Sequence, residues 1–300
     1  MTKEDLKNLE PQRQFFIGID SDGCVFPSME LKHKECFIPE IIRHWKLQGI
    51  SRYAREAAEF VNLYSQWRGE NRFPALLRAF DLLRERPEVR RSGVPIPEVP
   101  ALRDWAARAP SLGNPTLLQE IDRNPEPDLI QTLKWSEAVN NRIAEIVVDL
   151  PPFPGVREAL ERMAGRADLI VVSGTPAEAL QREWTEHDIA GYVRLIAGQE
   201  LGRKKEHLSL AAGGKYAARR MLMIGDAPGD MQAAREVGAL FYPINPGSEE
   251  ESWERLLEEA LELFFAGEYS GAYENTLIER FNGLLPDMPP WSNQQRGARP

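Results

Sequence analysis

The sequence has few cysteines and histidines, no long apolar run and no excess of basic residues. Its 300 residues include two cysteines, Cys24 and Cys36, which are too few for a disulfide framework and fit a reducing compartment. The four histidines lack metal-ligand spacing, which argues against zinc. No apolar stretch approaches the ~20 residues of a membrane span, and the first residues are too polar for a signal peptide. We therefore expect a cytoplasmic protein.

Acidic residues outnumber basic ones, with 46 Asp and Glu against 37 Lys and Arg and a formal net charge of -9. This balance argues against nucleic-acid binding, because neutralising phosphates requires a basic surface. A hydrophobic content of 42% is ordinary for a globular protein with a core. We expect no nucleic acid and no membrane as partner, and the composition leaves the oligomeric state open.

Short, continuous apolar runs predict the strands of a parallel sheet, because strands covered on both faces lack polar alternation. The clearest runs lie at residues 15–19, 168–172 and 221–224, with weaker ones at 193–197 and 239–244. Helical patterns separate the later runs, at 156–163, 177–186, 205–212 and 230–237. Strand–helix alternation of this kind favours an α/β fold with a doubly wound parallel sheet.

The segment between the first two strands has a different character. Residues 28–149 show helical periodicity, for example at 52–67, 74–84 and 129–148, with proline-containing breaks. We therefore expect a discontinuous α/β core, residues 1–27 and 150–246, interrupted by a mostly helical domain, 28–149. Residues 247–285 are predicted to form a helical C-terminal extension, and 286–300 a disordered tail.

Two pairs of aspartates follow apolar strands. Asp20 and Asp22 come after the first strand, in DSDG, and Asp226 and Asp230 come after residues 221–224, in GDAPGD. Taken alone, each of these loops is most simply interpreted as a turn. Together they would meet at the carboxyl edge of one parallel sheet, where ligand sites form. Carboxylates gathered there call for a hard cation such as Mg²⁺.

The strand at residues 168–172 leads into Ser173, Gly174 and Thr175. Thr175 and Glu178 have the spacing of a helix capping box, with Pro176 at the first helical position. The free N–H groups of that helix, with the Ser173 hydroxyl beside them, would suit a phosphate oxygen. For Thr175 itself, a capping role is the favoured interpretation.

In this order, the motifs resemble those of the haloacid dehalogenase superfamily of Mg²⁺-dependent phosphohydrolases. A proline–glycine segment that opens a helix at 153–160 adds to the likeness, which covers residues 12–27 and 150–246. The resemblance implies a Rossmann-like core with a helical cap inserted between the first and second motifs. It also implies a hydrolase acting on a small phosphorylated metabolite, with Mg²⁺ as cofactor.

The resemblance also implies roles for individual residues. Asp20 would be the nucleophile that forms an aspartyl-phosphate, and Asp22 the general acid and base. Ser173, Gly174 and a lysine would bind the phosphoryl group. Mg²⁺ would be held by a set of carboxylates, namely Asp20, Asp22, Asp226 and Asp230.

The identity of the lysine is open. Lys204 is favoured because it begins a helical stretch and Glu206 then falls where an acidic residue often follows in the superfamily. Lys205 is the close alternative. Lys215, in GGKY, lacks the spacing and the following Ser or Thr of a phosphate-binding P-loop. Cys24 stands where the superfamily usually has threonine, and we expect it to be a packed small residue rather than a nucleophile.

Asp22 favours phosphate-ester hydrolysis over dehalogenation, because a leaving alkoxide needs a proton whereas a halide does not. A phosphomutase with the same nucleophile and a non-catalytic binding or scaffold protein are the alternatives. Specificity should lie in the helical insertion, where one arginine would suit a second anionic group of the substrate. The sequence does not single out one of these arginines, which are Arg43, Arg52, Arg55, Arg68, Arg72, Arg78 and Arg84.

Overall fold

A computed structural model describes residues 2–292 of the chain. Within them, one compact unit is formed by residues 2–29 and 149–285, and a second by residues 30–148 and 286–292. The first is called the core unit and the second the helical unit. The chain therefore passes from one unit to the other three times.

The core unit is built on a five-stranded parallel sheet with the strand order β3-β2-β1-β4-β5. The α/β fold with a parallel sheet is thus confirmed, including the two weaker strand predictions. The strands are β1 (Phe15–Ile19), β2 (Ala167–Val172), β3 (Leu195–Ala197), β4 (Met221–Gly225) and β5 (Leu240–Pro243).

Helices are numbered along the whole chain. They are α1 (Lys3–Lys7), α2 (Ser28–Leu31), α3 (Ile38–His44), α4 (Ser51–Leu63), α5 (Arg72–Glu85), α6 (Pro87–Ser92), α7 (Pro100–Arg108), α8 (Asn114–Arg123), α9 (Pro127–Ile146), α10 (Val156–Ala164), α11 (Ala177–Glu186), α12 (Lys204–Ala212), α13 (Pro228–Val237), α14 (Glu249–Arg255), α15 (Leu261–Ala266) and α16 (Ala272–Leu284). The π-helical segments Lys32–Phe37 and Leu256–Ala260 join α2 to α3 and α14 to α15.

Both faces of the sheet are buried, which explains the continuous apolar runs. Along β1, Ile17 and Ile19 point into one layer with α10 and α11, whereas Phe16 points into the other with α12 and α13. The same alternation holds along β2 and β4. The helices of residues 247–285 belong to these layers: Trp253 and Phe264 lie in the first, and Phe281 lies in the second.

The helical unit has its own apolar core. Its buried side chains come from α3 to α9 and include several large aromatic residues, namely Phe73, Phe80, Trp105 and Trp135. Edge-to-face ring contacts join Trp105 and Trp135 to Phe73. Such contacts stabilise a core beyond the burial of area alone.

Residues 286–292 pack on the helical unit. The Trp291 ring lies 5.8 Å from the Phe60 ring, and the Arg86 guanidinium lies 4.6 Å from Trp291 and 4.4 Å from Tyr53. Arg86 also pairs with Glu56 at 2.5 Å. The rest of the segment that we expected to be disordered, residues 293–300, lies outside the described residues.

Within residues 2–292, no helix combines the length and the apolar character needed to cross a membrane.

Gly18 in the central strand β1 should tolerate no side chain. A Cβ atom there would lie 2.7 Å from Leu208 Cδ2 and 3.2 Å from Val172 Cγ2, so neighbouring side chains would have to move. We expect Gly18→Ala to lower the free energy of unfolding by about 1–3 kcal/mol, as overpacked cores do. Urea denaturation measures this.

The control is Gly283→Ala, on an exposed position of α16 where a Cβ would meet no atom within 4 Å. That variant should be neutral or more stable, because alanine favours helix over glycine by up to ~1 kcal/mol. Equal stability of Gly18→Ala and the parent protein would contradict the tight packing described for β1.

Candidate active site

Adjacent parallel strands bring Asp20 and Asp226 together. Asp20 follows β1 directly and Asp226 follows β4 directly. The two strands pair in parallel, with Ile19 opposite Ile224, and the Asp20 amide donates to the Ile224 carbonyl at 2.9 Å. Asp20 is 4% exposed and Asp226 is 1% exposed. The sheet therefore buries two carboxylates side by side at its carboxyl edge.

Asp230 joins them from the first turn of α13, where a helix N-terminus favours negative charge. Its carboxylate accepts a hydrogen bond from the Ala227 amide at 3.1 Å. Gly225 leaves the space that this side chain fills, since a Cβ at that position would lie 2.5 Å from Asp230 Cβ. Larger residues at position 225 would displace the carboxylate.

Asp20, Asp226 and Asp230 each offer one carboxylate oxygen, and these three oxygens lie within 4.8 Å of one another. All three residues are buried, and oxygen donors of this kind suit Mg²⁺ or another hard divalent cation. The donor set therefore fits the expected cofactor. The carboxylate of Asp22, which we also expected among the metal ligands, is not part of this group.

Asp22 instead accepts hydrogen bonds from hydroxyl groups. The Thr175 hydroxyl donates to one carboxylate oxygen at 2.6 Å, and the Ser28 hydroxyl donates to the other. The prediction that Thr175 caps a helix is wrong: α11 begins at Ala177, whose amide donates to Glu200 at 3.1 Å. Thr175 is free of the helix terminus and orients Asp22.

Lys204, the first residue of α12, lies between two of the carboxylates. Its ammonium nitrogen is 2.9 Å from Asp20 Oδ2 and 2.6 Å from Asp230 Oδ1. Burial acts to lower the pKa of Lys204, but the two carboxylates outweigh it and hold the pKa above its ordinary value. Lys204 therefore stays protonated and offsets part of the negative charge.

The other two lysines considered from the sequence lie elsewhere. The ammonium group of Lys205 is half-exposed and pairs with Glu236 at 3.0 Å. Lys215 donates to the backbone carbonyls of Lys7 and Leu9, which anchors the N-terminal segment. Of the three, Lys204 is the one that contacts the cluster.

Ser173 follows β2, the strand on the other side of β1. Its amide donates to the Ala197 carbonyl at 3.0 Å, and its hydroxyl oxygen accepts from the Thr175 amide at 3.1 Å. Because the oxygen accepts that bond, the hydroxyl hydrogen can be donated to a ligand. Ser173 is 2% exposed, and Gly174 after it is exposed.

Cys24 is fully buried beside the acidic cluster. Burial raises the pKa of its thiol well above the ordinary value, and the negative charge of Asp20 adds to the effect. A thiol held protonated in this way is a poor nucleophile. Its backbone carbonyl accepts from the Trp253 indole at 2.9 Å, which fixes the loop that carries Asp20 and Asp22.

Two residues of the site were missed from the sequence. Ser28 and Thr175 both orient Asp22, at separations of 6 and 153 residues along the chain. The signal for Thr175 was its place two residues after Ser173, but a helix-capping role was the favoured interpretation of that position. No sequence signal distinguished Ser28.

Comparison with known proteins gives a family match and several structural likenesses. A family model described as a haloacid dehalogenase-like hydrolase matches residues 22–238. A haloacid dehalogenase-like family hydrolase from Streptococcus pneumoniae is 15% identical, with a TM-score of 0.44 and coverage of 80% of this chain and 90% of that one.

A haloacid dehalogenase superfamily hydrolase of subfamily IA from Geobacter sulfurreducens is 18% identical, with a TM-score of 0.38 and coverage of 77% of this chain and 88% of that one. No protein of curated function matches the sequence.

The carboxylate cluster predicts a pH-dependent response to Mg²⁺. Burial raises the pKa of Asp230 to about 6; the positive charge of Lys204 opposes this rise, and the negative charge of Asp20 adds to it. Below that pH a proton occupies Asp230 and competes with a cation. We expect Mg²⁺ to raise the melting temperature at about pH 7.5 and to do so progressively less as the pH falls through about 6.

Melting curves with and without Mg²⁺ at several pH values measure this. In Asp226→Asn the Mg²⁺ effect should be largely lost at every pH, whereas in Asp122→Asn, which changes an exposed carboxylate of α8, it should persist. A Mg²⁺ effect of equal size in Asp226→Asn would contradict the metal site.

Proposed function

The chain belongs to the haloacid dehalogenase-like hydrolases, and from this membership we propose that it hydrolyses the phosphate monoester of a small metabolite through an aspartyl-phosphate on Asp20. The observation that carries the proposal is the contact of Lys204 with both Asp20 and Asp230 inside a buried acidic cluster. A carboxylate in that position is buried, and its ion pair with Lys204 orients it. These are the properties that a nucleophile for phosphorus requires.

In the first step, an Asp20 oxygen forms a bond to phosphorus while the bond to the ester oxygen breaks. Asp22 in its protonated form gives its proton to the departing alkoxide, which leaves as an alcohol. In the second step, Asp22 takes a proton from water as the water oxygen attacks phosphorus. The bond to Asp20 then breaks, and inorganic phosphate is released with both carboxyl groups restored.

The hydrogen bonds to Asp22 support its proposed role. With one carboxylate oxygen bonded to Thr175 and the other to Ser28, the side chain has a single orientation. A fixed acid lowers the entropic cost of proton transfer to the leaving group. We propose Thr175 and Ser28 as positioning residues for the acid.

The phosphoryl oxygens would be bound by the residues that follow β2 and begin α12. The Ser173 hydroxyl can donate to one oxygen, the exposed backbone of Gly174 can approach another, and Lys204 supplies positive charge. Asp20, Asp226 and Asp230 would hold Mg²⁺. The bound cation would neutralise charge that develops on the phosphoryl group during transfer.

Removal of the nucleophile tests the mechanism. Asp20→Asn should reduce Mg²⁺-dependent phosphate release from an aryl phosphate by about 10³-fold or more, because the amide cannot form the acyl-phosphate. Asp122→Asn is the control. Full activity of Asp20→Asn, or turnover that persists in EDTA, would contradict the proposal. If no phosphorylated metabolite is hydrolysed and a stable partner is recovered instead, the scaffold alternative is favoured.

The acid role of Asp22 predicts a dependence on the leaving group. Alkyl phosphates release a strongly basic alkoxide and need its protonation, whereas aryl phosphates release a stable phenoxide. Asp22→Asn should therefore slow formation of the phospho-enzyme from alkyl phosphates by about 10²–10⁴-fold and from aryl phosphates by much less. Rapid-quench measurement of phospho-enzyme formation resolves this step. Equal losses for both ester classes would contradict the assignment.

A further inference from the structure

One fully buried serine, Ser21, lies between the two aspartates to which the proposed mechanism assigns chemistry. Its carbonyl oxygen accepts hydrogen bonds from three later amides of the same loop, those of Cys24 at 3.3 Å, Val25 at 2.8 Å and Phe26 at 3.0 Å. Ser21 is therefore the residue about which residues 20–26, called the aspartate loop, are folded.

The side chain of Ser21 is bonded to a tryptophan of α11. The indole nitrogen of Trp184 donates to Ser21 Oγ at 3.0 Å, and both residues are fully buried. The Trp184 ring also lies edge-on to the Phe26 ring, with 6.2 Å between the ring centres and an angle of 81° between the planes. Trp184 therefore holds the aspartate loop near both of its ends.

The segment that carries Trp184 is tied to the same loop a second time. Thr175, which precedes α11, donates its hydroxyl hydrogen to Asp22 at 2.6 Å, and Trp184 lies near the other end of that helix. Two side-chain hydrogen bonds from one segment therefore reach adjacent residues of the aspartate loop. Together they fix the loop relative to α11 and limit the orientations open to the Asp22 carboxylate.

Stability alone does not require a polar pair at this place. A buried hydroxyl and a buried indole N–H both lose their hydrogen bonds to water, and the bond between them offsets only that loss. An alanine facing a phenylalanine would bury no polar atom, and replacements of this kind are often neutral or stabilising. The polar pair adds direction, because a hydrogen bond restricts the distance and angle between donor and acceptor.

We propose that Ser21 and Trp184 form a positioning pair, which holds the aspartate loop so that the Asp22 carboxylate keeps the orientation needed for proton transfer. Asp20 is held by a separate contact, the ion pair of its carboxylate with Lys204 at 2.9 Å. The pair therefore acts mainly on the acid and less on the nucleophile. This role rests on the proposed function, because proton transfer by Asp22 is a step of that reaction.

Loss of the pair should change the preference of the enzyme between ester classes. Ser21→Ala removes the acceptor, and we expect phospho-enzyme formation from alkyl phosphates to slow by about 10- to 100-fold, the effect of a small misplacement of a catalytic group. Aryl phosphates release a group that needs no proton, so their rate should change much less. A variant that is only less stable would lose both rates in equal proportion, so the ratio of the two rates distinguishes positioning from stability.

Tyr269→Phe is the matched control, because it also removes one hydroxyl from a fully buried hydrogen bond of the core unit, here to the Phe241 carbonyl at 2.7 Å. It should leave the ratio unchanged. Trp184→Phe should lower the ratio as Ser21→Ala does, and the double variant should lower it no further, because both substitutions break the same bond. Ser21→Ala removes a single heavy atom and keeps the test possible if melting curves show that Trp184→Phe is not folded.

Hydrogen exchange tests the positioning without catalysis. In Ser21→Ala the amides of residues 24–26, which bond to the carbonyl of residue 21, should exchange about tenfold faster than in Tyr269→Phe, the effect of one lost buried hydrogen bond. If the parent protein hydrolyses no ester, the proposed function is contradicted, and loop exchange alone then decides whether the pair positions the loop. In an active parent, an unchanged ester ratio in Ser21→Ala overturns the inference, as does loop exchange equal to that of Tyr269→Phe.

Discussion

The burial of three carboxylates at the ends of β1 and β4 is the constraint on which the core unit depends. Like charges this close repel strongly once water is removed, and Lys204 supplies one positive charge against the three negative ones. The remaining excess of two negative charges equals the charge of one divalent cation. Two local contacts support this arrangement: Gly225 leaves the space that Asp230 fills, and the Trp253 indole donates to the backbone of the loop that carries Asp20.

Much of the core unit could be predicted because its determinants are local in sequence. Burial on both faces produces the continuous apolar runs of β1, β2 and β4, and residues that follow such strands must meet at one edge. That rule places Asp20 and Asp226 at the same edge of the sheet. Their proximity also depends on the adjacency of β1 and β4, which the apolar pattern does not predict.

The contacts that could not be predicted are those in which a side chain has more than one possible hydrogen-bond or ion-pair partner. Thr175 has the spacing of a helix cap. However, α11 begins two residues later, at Ala177, and the Thr175 hydroxyl donates to Asp22 instead. The carboxylate of Asp22 is bonded to Thr175 and Ser28 and is not one of the three that gather at the end of the sheet. In the helical unit, Arg84 pairs with Asp81 whereas Arg72 donates to Ser136 and Asn140, and no sequence pattern distinguishes these two arginines in advance.

The C-terminal segment changes how the helical unit can diverge. An insertion that the chain enters and leaves once can be lengthened or replaced during evolution, because no other segment of the sequence packs into its core. Here the chain returns, and Trp291 packs against Phe60 and Arg86. A substitution at Phe60 or Arg86 therefore changes the packing of Trp291 as well. For this reason we expect the sequences of the helical unit and of the C-terminal segment to evolve together.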